Sequence, residues 1–151
     1  MKQYAIGLVP GPVSVPEEFR RAYLENFGSA DLEEEFFLLY EENESLLRKL
    51  LKTNNAVTIQ SGEAMSVLWG ALKSILLPGD RLLAVSNGVF GRGFGEMGMM
   101  LGMEVRIVEA PDGEFPDLTT IRTAAAEFRP KMITAVHCET PSGILNPVAG
   151  V

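Results

Sequence analysis

The sequence predicts an α/β fold, a three-layer αβα arrangement around a mainly parallel sheet. Two observations carry that prediction. From Ala56 onward, short β-favouring runs alternate with helical stripes, and Pro or Gly residues punctuate the changes. The chain of 151 residues is also 46% hydrophobic, enough apolar side chain for a core of one ordinary domain. Regular strand–helix alternation implies parallel strands joined by crossovers, with helices on both faces.

The arm comes first. Residues 1–16 are rich in Pro and Gly and read as an extended arm, because Pro fixes φ and removes backbone donors. Residues 17–52 read as an acidic helical segment. Leu32, Phe36, Leu39 and Tyr40, then Leu46, Leu47, Leu50 and Leu51, recur at helical spacing, and the intervening glutamates form a solvated face. Residues 53–151 read as the alternating domain. Ala56–Gln60 is its first expected strand. A helix over Ala64–Leu77 carries Met65, Leu68, Leu72, Ile75 and Leu76 on one stripe, stopped by Pro78-Gly79-Asp80. Arg81–Ser86 is the second strand, Asn87–Arg92 a loop and Gly93–Gly102 a glycine-rich helix. Glu104–Glu109 is the third strand. Asp117 caps a helix carrying Leu118, Ile121, Ala125 and Phe128 that ends at Arg129-Pro130, and Lys131–His137 is the fourth strand.

Composition excludes several classes of function. There are 13 basic and 20 acidic residues, a net charge of −7, so no surface here could neutralise a run of phosphates and a nucleic-acid partner is not expected. No apolar run approaches the roughly 20 residues of a membrane helix, and the first residues lack signal-peptide anatomy. A soluble, cytoplasmic chain is expected. The single cysteine, Cys138, excludes an internal disulfide, and one histidine beside it excludes a Cys/His metal cluster.

Ligands of such sheets sit outside the carboxyl ends of the strands, which points to Gln60–Met65, Asn87–Arg92 and Cys138–Gly143. Ser61-Gly62-Glu63-Ala64-Met65 joins a strand to a helix N-terminus, where free N–H groups and the helix dipole favour an anion such as a phosphate. Many such turns bind nothing, so the pattern alone identifies no ligand. Phe90, flanked by Gly88 and Gly91, is placed to stack on a flat heterocycle or simply to cap the core. His137, Cys138, Glu139 and Thr140 put polar groups at the end of the fourth strand, although a lone His or a small thiol there is usually structural. One competing motif exists. Gly93-Phe94-Gly95-Glu96-Met97-Gly98 matches the G-x-G-x-x-G dinucleotide fingerprint, with Glu109 as its acidic partner. The fingerprint needs its first Gly in the turn directly off the strand, whereas these glycines fall inside a helix. Close helix packing explains them better.

Taken together, the loops resemble one family, the class V aminotransferases of the fold-type I pyridoxal-phosphate enzymes, and most nearly the alanine–glyoxylate/serine–pyruvate and 2-aminoethylphosphonate aminotransferases. The matching pieces run in order: Pro10-Gly11-Pro12 with Val15-Pro16, Ser61–Met65, Pro78-Gly79-Asp80, Asn87-Gly88-Val89-Phe90-Gly91, His137–Gly143 and Asn146-Pro147. The resemblance implies that residues 53–151 are part of the large, cofactor-binding domain of that fold. It implies pyridoxal 5'-phosphate as cofactor, with Ser61, Gly62, Glu63, Ala64 and Met65 at its phosphate, Phe90 on its ring and Thr140 at its phenolic oxygen or the substrate. Gly11 is implied at the substrate carboxylate. Met65 departs from relatives that place a hydroxyl or imidazole there, and Glu63 must aim its carboxylate away from a bound dianion.

The resemblance also implies a reversible amino transfer from an amino acid or aminophosphonate to a glyoxylate- or pyruvate-type 2-oxo acid. That chemistry needs a Schiff-base lysine and an aspartate on the pyridine nitrogen. In the family both lie beyond the segment matched here, so the site has no catalytic residue of its own. Lys2, Lys49, Lys52, Lys73 and Lys131 fall in the arm, on helices or at the start of a strand, and none replaces the Schiff-base lysine. The chain is therefore expected to be the N-terminal portion of such an enzyme, inactive alone, and to self-associate or dimerise through incompletely covered apolar surface. Three other readings remain open: an NAD-binding domain resting on Gly93–Gly98, a non-catalytic interaction module, and desulfurase or lyase chemistry within the same superfamily.

Overall fold

Arg81–Ser86 (β1) sits at the centre of the sheet, and its burial explains the sequence. Every residue from Leu82 to Ser86 is buried, so the strand reads as a continuous run, as strands covered on both faces do. It pairs in parallel with Glu104–Glu109 (β2) on one side, Arg81 opposite Glu104 and Ser86 opposite Glu109. Met132–Ala135 (β3) pairs in parallel on the other, Leu82 opposite Met132 and Val85 opposite Ala135, giving the order β2-β1-β3. The computed structural model describes residues 11, 13–26, 28–111 and 113–151; residues 1–10 and Pro12 of the expected arm lie outside them.

The described residues divide into two compact units, one of Ser14–Gly62 and the other of Glu63–Val151 with Gly11 and Val13. The first unit holds the short helix Glu17–Arg21 (α1), a 3-10 turn over Ala22–Leu24 and the 18-residue helix Glu34–Leu51 (α2). Lys52 ends α2 in the left-handed conformation, and the amides of Lys52 and Thr53 return to the carbonyls of Lys49 and Arg48. No residue of α2 is buried, and Leu46, Leu50 and Leu51 stand exposed. The strand expected at Ala56–Gln60 does not form. This segment pairs with no other strand among the described residues, and the Ile59 amide instead donates to the Tyr40 hydroxyl at 3.2 Å. β-propensity without a neighbouring edge gives extended chain, not sheet.

In the second unit, helices Ala64–Ile75 (α3) and Val89–Met100 (α4) cover one face of the sheet and Leu118–Phe128 (α5) the other. Alternation along β1 separates two cores. Leu82 packs with Leu72, Leu76, Met97 and Met103 under α3 and α4, while Leu83 and Val85 pack with Val108, Ile121 and Ala124 under α5. The expected three-layer αβα arrangement with a parallel sheet is therefore present. Asp117 caps α5 as expected, its carboxylate accepting from the amides of Thr119 and Thr120. No helix among the described residues is long and apolar enough to cross a membrane.

Several boundaries differ from expectation. Helix α4 begins at Val89, so Phe90, Gly91 and Arg92 lie in its first turn and not in a loop. Glycine's poor helix propensity hides that start. The fourth strand is shorter than Lys131–His137. The expected loop after it instead contains a small antiparallel hairpin, Cys138–Glu139 (β4) against Ile144–Leu145 (β5). The glycines of the fingerprint lie inside α4, as the competing packing account requires. A Cβ on Gly95 would stand 2.7 Å from Ile107 Cδ1, and one on Gly98 2.6 Å from Leu82 Cδ2. They let the helix lie close on β1 and β2, and Gly93 forms no turn off a strand.

Candidate functional site

Three chain segments meet beyond the carboxyl end of the sheet, and buried polar groups hold two of them together. Glu139 on β4 is only 1% exposed. Its two carboxylate oxygens accept from the amides of Phe90 (3.0 Å) and Gly91 (3.2 Å), in the first turn of α4. Those amides have no partner within their own helix, and the negative charge sits at the positive end of its dipole. Beside this contact, Asn87 and Asn146 exchange two side-chain hydrogen bonds of 2.9 and 3.0 Å, both residues 2% exposed. Asn146 Nδ2 also donates to the Val136 carbonyl at 2.8 Å, tying the chain after β3 to the end of β1. Glu139 and Asn146 were legible in the sequence as motif members, but not as the buried polar groups that fasten this edge.

The start of α3 is the third segment. Glu63 is its N-cap, and the carboxylate accepts from the Met65 amide at 2.9 Å. The contact is solvent-exposed, unlike that of Glu139. The Glu63 carbonyl accepts from the Ser66 amide and from Ser66 Oγ.

Between these segments lies a pocket of about 740 Å³. Of the residues singled out in the sequence, Gly11, Glu63, Ala64, Met65, Phe90 and Thr140 all line it. Ser61 and Gly62 belong to the other unit, where Ser61 lines a separate groove with Phe36, Tyr40 and Ile59. Cys138, in the expected Cys138–Gly143 loop, lines the main pocket too, and so do Leu68, Phe94, Ala135 and Val136, which the sequence motifs do not place there. Helical spacing could have found two of them. Leu68 follows Met65 by three positions, and Phe94 follows Phe90 by four. The lining is therefore mostly apolar, with the Glu63 carboxylate, the Thr140 hydroxyl and the exposed Cys138 thiol as its polar features. Such a cavity suits a flat ring with a polar edge. Among the described residues no lysine lines it; Lys131 is bound to Asp80 beside the first residues of the strands.

Known proteins share this fold. The whole chain aligns at 29% identity with 42% of the 2-aminoethylphosphonate–pyruvate transaminase of Vibrio cholerae serotype O1. It is 31% identical to the L-aspartate–glyoxylate aminotransferase of Paracoccus denitrificans, over 95% of this chain and 37% of that one. A crystal structure of alanine–glyoxylate aminotransferase from Nostoc superimposes with a TM-score of 0.85 at 28% identity, covering 97% of this chain and 41% of that chain. The chain resembles the class V aminotransferases. It spans well under half the length of these aminotransferases, and no model of a known protein family matches it. The aminotransferase resemblance named on the sequence motifs thus extends to the backbone, and the fold is that of pyridoxal-phosphate-dependent transferases.

Proposed function

We propose that this chain supplies part of the pyridoxal 5'-phosphate site of an aminotransferase that exchanges an amino group between an amino acid or aminophosphonate and a pyruvate- or glyoxylate-type 2-oxo acid. The observation that carries the reading is the convergence of Ala64, Phe90 and Thr140 on one pocket. The residues fit the group. The N-terminus of α3 offers backbone amides to a phosphate, with Ser61 and Gly62 immediately before it in the chain. Phe90 offers a ring face for stacking, and Thr140 a hydroxyl for the phenolic oxygen. Gly11 lies on the same pocket, where its backbone can meet a substrate carboxylate.

When bound, the cofactor supplies a carbonyl that condenses with amines and a ring that accepts an electron pair. The residues of this chain bind and orient it. Glu63 must release the Met65 amide before a phosphate oxygen can take it, and the exposed side chain is free to swing outward. The apolar lining from Leu68, Phe94, Ala135 and Val136 keeps water from the ring. The proton-transferring amine is not among the pocket residues, so we expect no amino transfer by residues 1–151 alone. Self-association, as a dimer, fits the exposed leucines of α2. A cytoplasmic location fits a chain with one cysteine.

Titration of the chain with pyridoxal 5'-phosphate, followed by absorbance, tests the reading. Binding should compete with inorganic phosphate, and Phe90→Ala should weaken it by about tenfold, the order of one lost aromatic stacking contact. Amino transfer by the chain alone, or tight NAD binding that ignores pyridoxal 5'-phosphate, would overturn it. The dinucleotide alternative has little support from α4, whose glycines pack on β1 and β2.

A further inference from the structure

The Glu139 carboxylate belongs to no lining of the main pocket, yet it touches both chain segments that build one side of it. Its side chain accepts from the amides of Phe90 and Gly91, while its own carbonyl accepts from the Gly143 amide at 2.8 Å and from Ser142 Oγ at 3.3 Å. The latter pair closes the turn that carries Thr140. One residue thus anchors Phe90 through its side chain and Thr140 through its main chain. The space around it is filled to match. Gly88 has φ 176°, ordinary extended backbone, so conformation does not demand glycine there. Space does, because a Cβ on Gly88 would stand 2.5 Å from Glu139 Cγ and 2.6 Å from its Cδ.

We infer that Glu139 is a positioning residue: its buried carboxylate, shared between two amides of α4, fixes the Phe90 ring relative to Thr140 and so sets the separation of the ring-binding and hydroxyl-bearing walls. The inference rests on the proposed cofactor site and adds to it a residue that never touches the ligand. A carboxylate suits this task better than an amide, because it presents two acceptors and a full charge to two parallel donors. Glutamine offers one acceptor, so one of the two amides loses its partner.

The test uses residues 1–151 with Glu139→Gln, and Gly88→Ala as a second variant that displaces the carboxylate without removing its charge. Amide NMR is read first. Glu139→Gln should move the Phe90 and Gly91 amide protons upfield while leaving Thr119 and Thr120, capped by Asp117 on α5, in place. Pyridoxal 5'-phosphate affinity is read second and should fall by about tenfold in both variants, with inorganic phosphate affinity changed by less than about twofold. A role confined to stability would lower the folded fraction but leave the affinity of the folded protein unchanged, and that result overturns the inference. So do unmoved Phe90 and Gly91 amides. If Glu139→Gln fails to fold, Gly88→Ala carries the same affinity prediction. If the unsubstituted chain does not bind pyridoxal 5'-phosphate, the proposed function fails and takes the inference with it; if it binds and both folded variants bind equally well, the inference alone fails.

Discussion

The two rims of the parallel sheet are fastened by different physics. Where the strands begin, Asp80 accepts from Lys131 Nζ at 2.6 Å and from the Leu77 amide at 2.7 Å, with the two charged side chains 27% and 49% exposed. Where the strands end, Asn87, Glu139 and Asn146 make their bonds at 1–2% exposure. Water competes for the Asp80–Lys131 pair at the first rim and far less for the bonds of Asn87, Glu139 and Asn146 at the second, where the Arg92–Glu109 pair remains exposed. An exposed ion pair contributes little, whereas a buried polar group left without its partner is costly. The rim that bears the pocket is therefore the one that tolerates least change, and the opposite rim can vary.

Asn146→Ala is the strongest way to break that contrast. It removes both bonds to Asn87 and the donor to the Val136 carbonyl, leaving buried groups unpaired. We expect a loss of about 3 kcal/mol in urea unfolding. A double-mutant cycle with Asn87→Ala should return a coupling above about 1 kcal/mol, and additivity would show that the amide pair is not a unit.

Gly98→Ala sharpens the comparison by disturbing the layer between the rims. The added Cβ meets Leu82 Cδ2 at 2.6 Å and Val105 Cγ2 at 3.0 Å, both side chains on strands that cannot easily retreat. Overpacking of this kind costs about 1–3 kcal/mol. Pyridoxal 5'-phosphate affinity of the folded protein should not change, since neither neighbour lines the pocket.

How much of this is readable from the sequence depends on the range of the interactions. β1, β2 and α5 follow from local pattern, because each has apolar periodicity and clear punctuation at its ends, such as Asp117 before α5 and Pro78-Gly79 before β1. Local chemistry also places Glu63, Ala64 and Met65 at a helix start. The start of α4 is not legible, since its first-turn amides find their acceptor in Glu139, 48 or 49 positions away. Ala56–Gln60 fails as a strand for the converse reason: its β-favouring residues have no partner edge among the described residues, a fact about the rest of the chain. The Asn87–Asn146 pair spans 59 positions and leaves no periodic signal, so the sequence shows Asn87 only as a loop residue and Asn146 only as a motif member.

The smallest effect belongs to the opposite rim, and pH exposes it. Hydrogen bonds from Lys131 and from the Leu77 amide hold the Asp80 carboxyl below its usual 3.8, outweighing the desolvation that acts the other way. A carboxylate depressed on folding contributes stability that is complete above the unfolded value and is lost as pH falls through the folded one. Lys131→Ala removes the first-named cause. The stability difference between the unsubstituted chain and this variant should therefore be largest above pH 3.8, shrink below it, and shrink at neutral pH when salt is added. A difference that grows on acidification would mean that the pair is not held together by the Asp80 charge, and the contrast between the rims would then lie in burial alone.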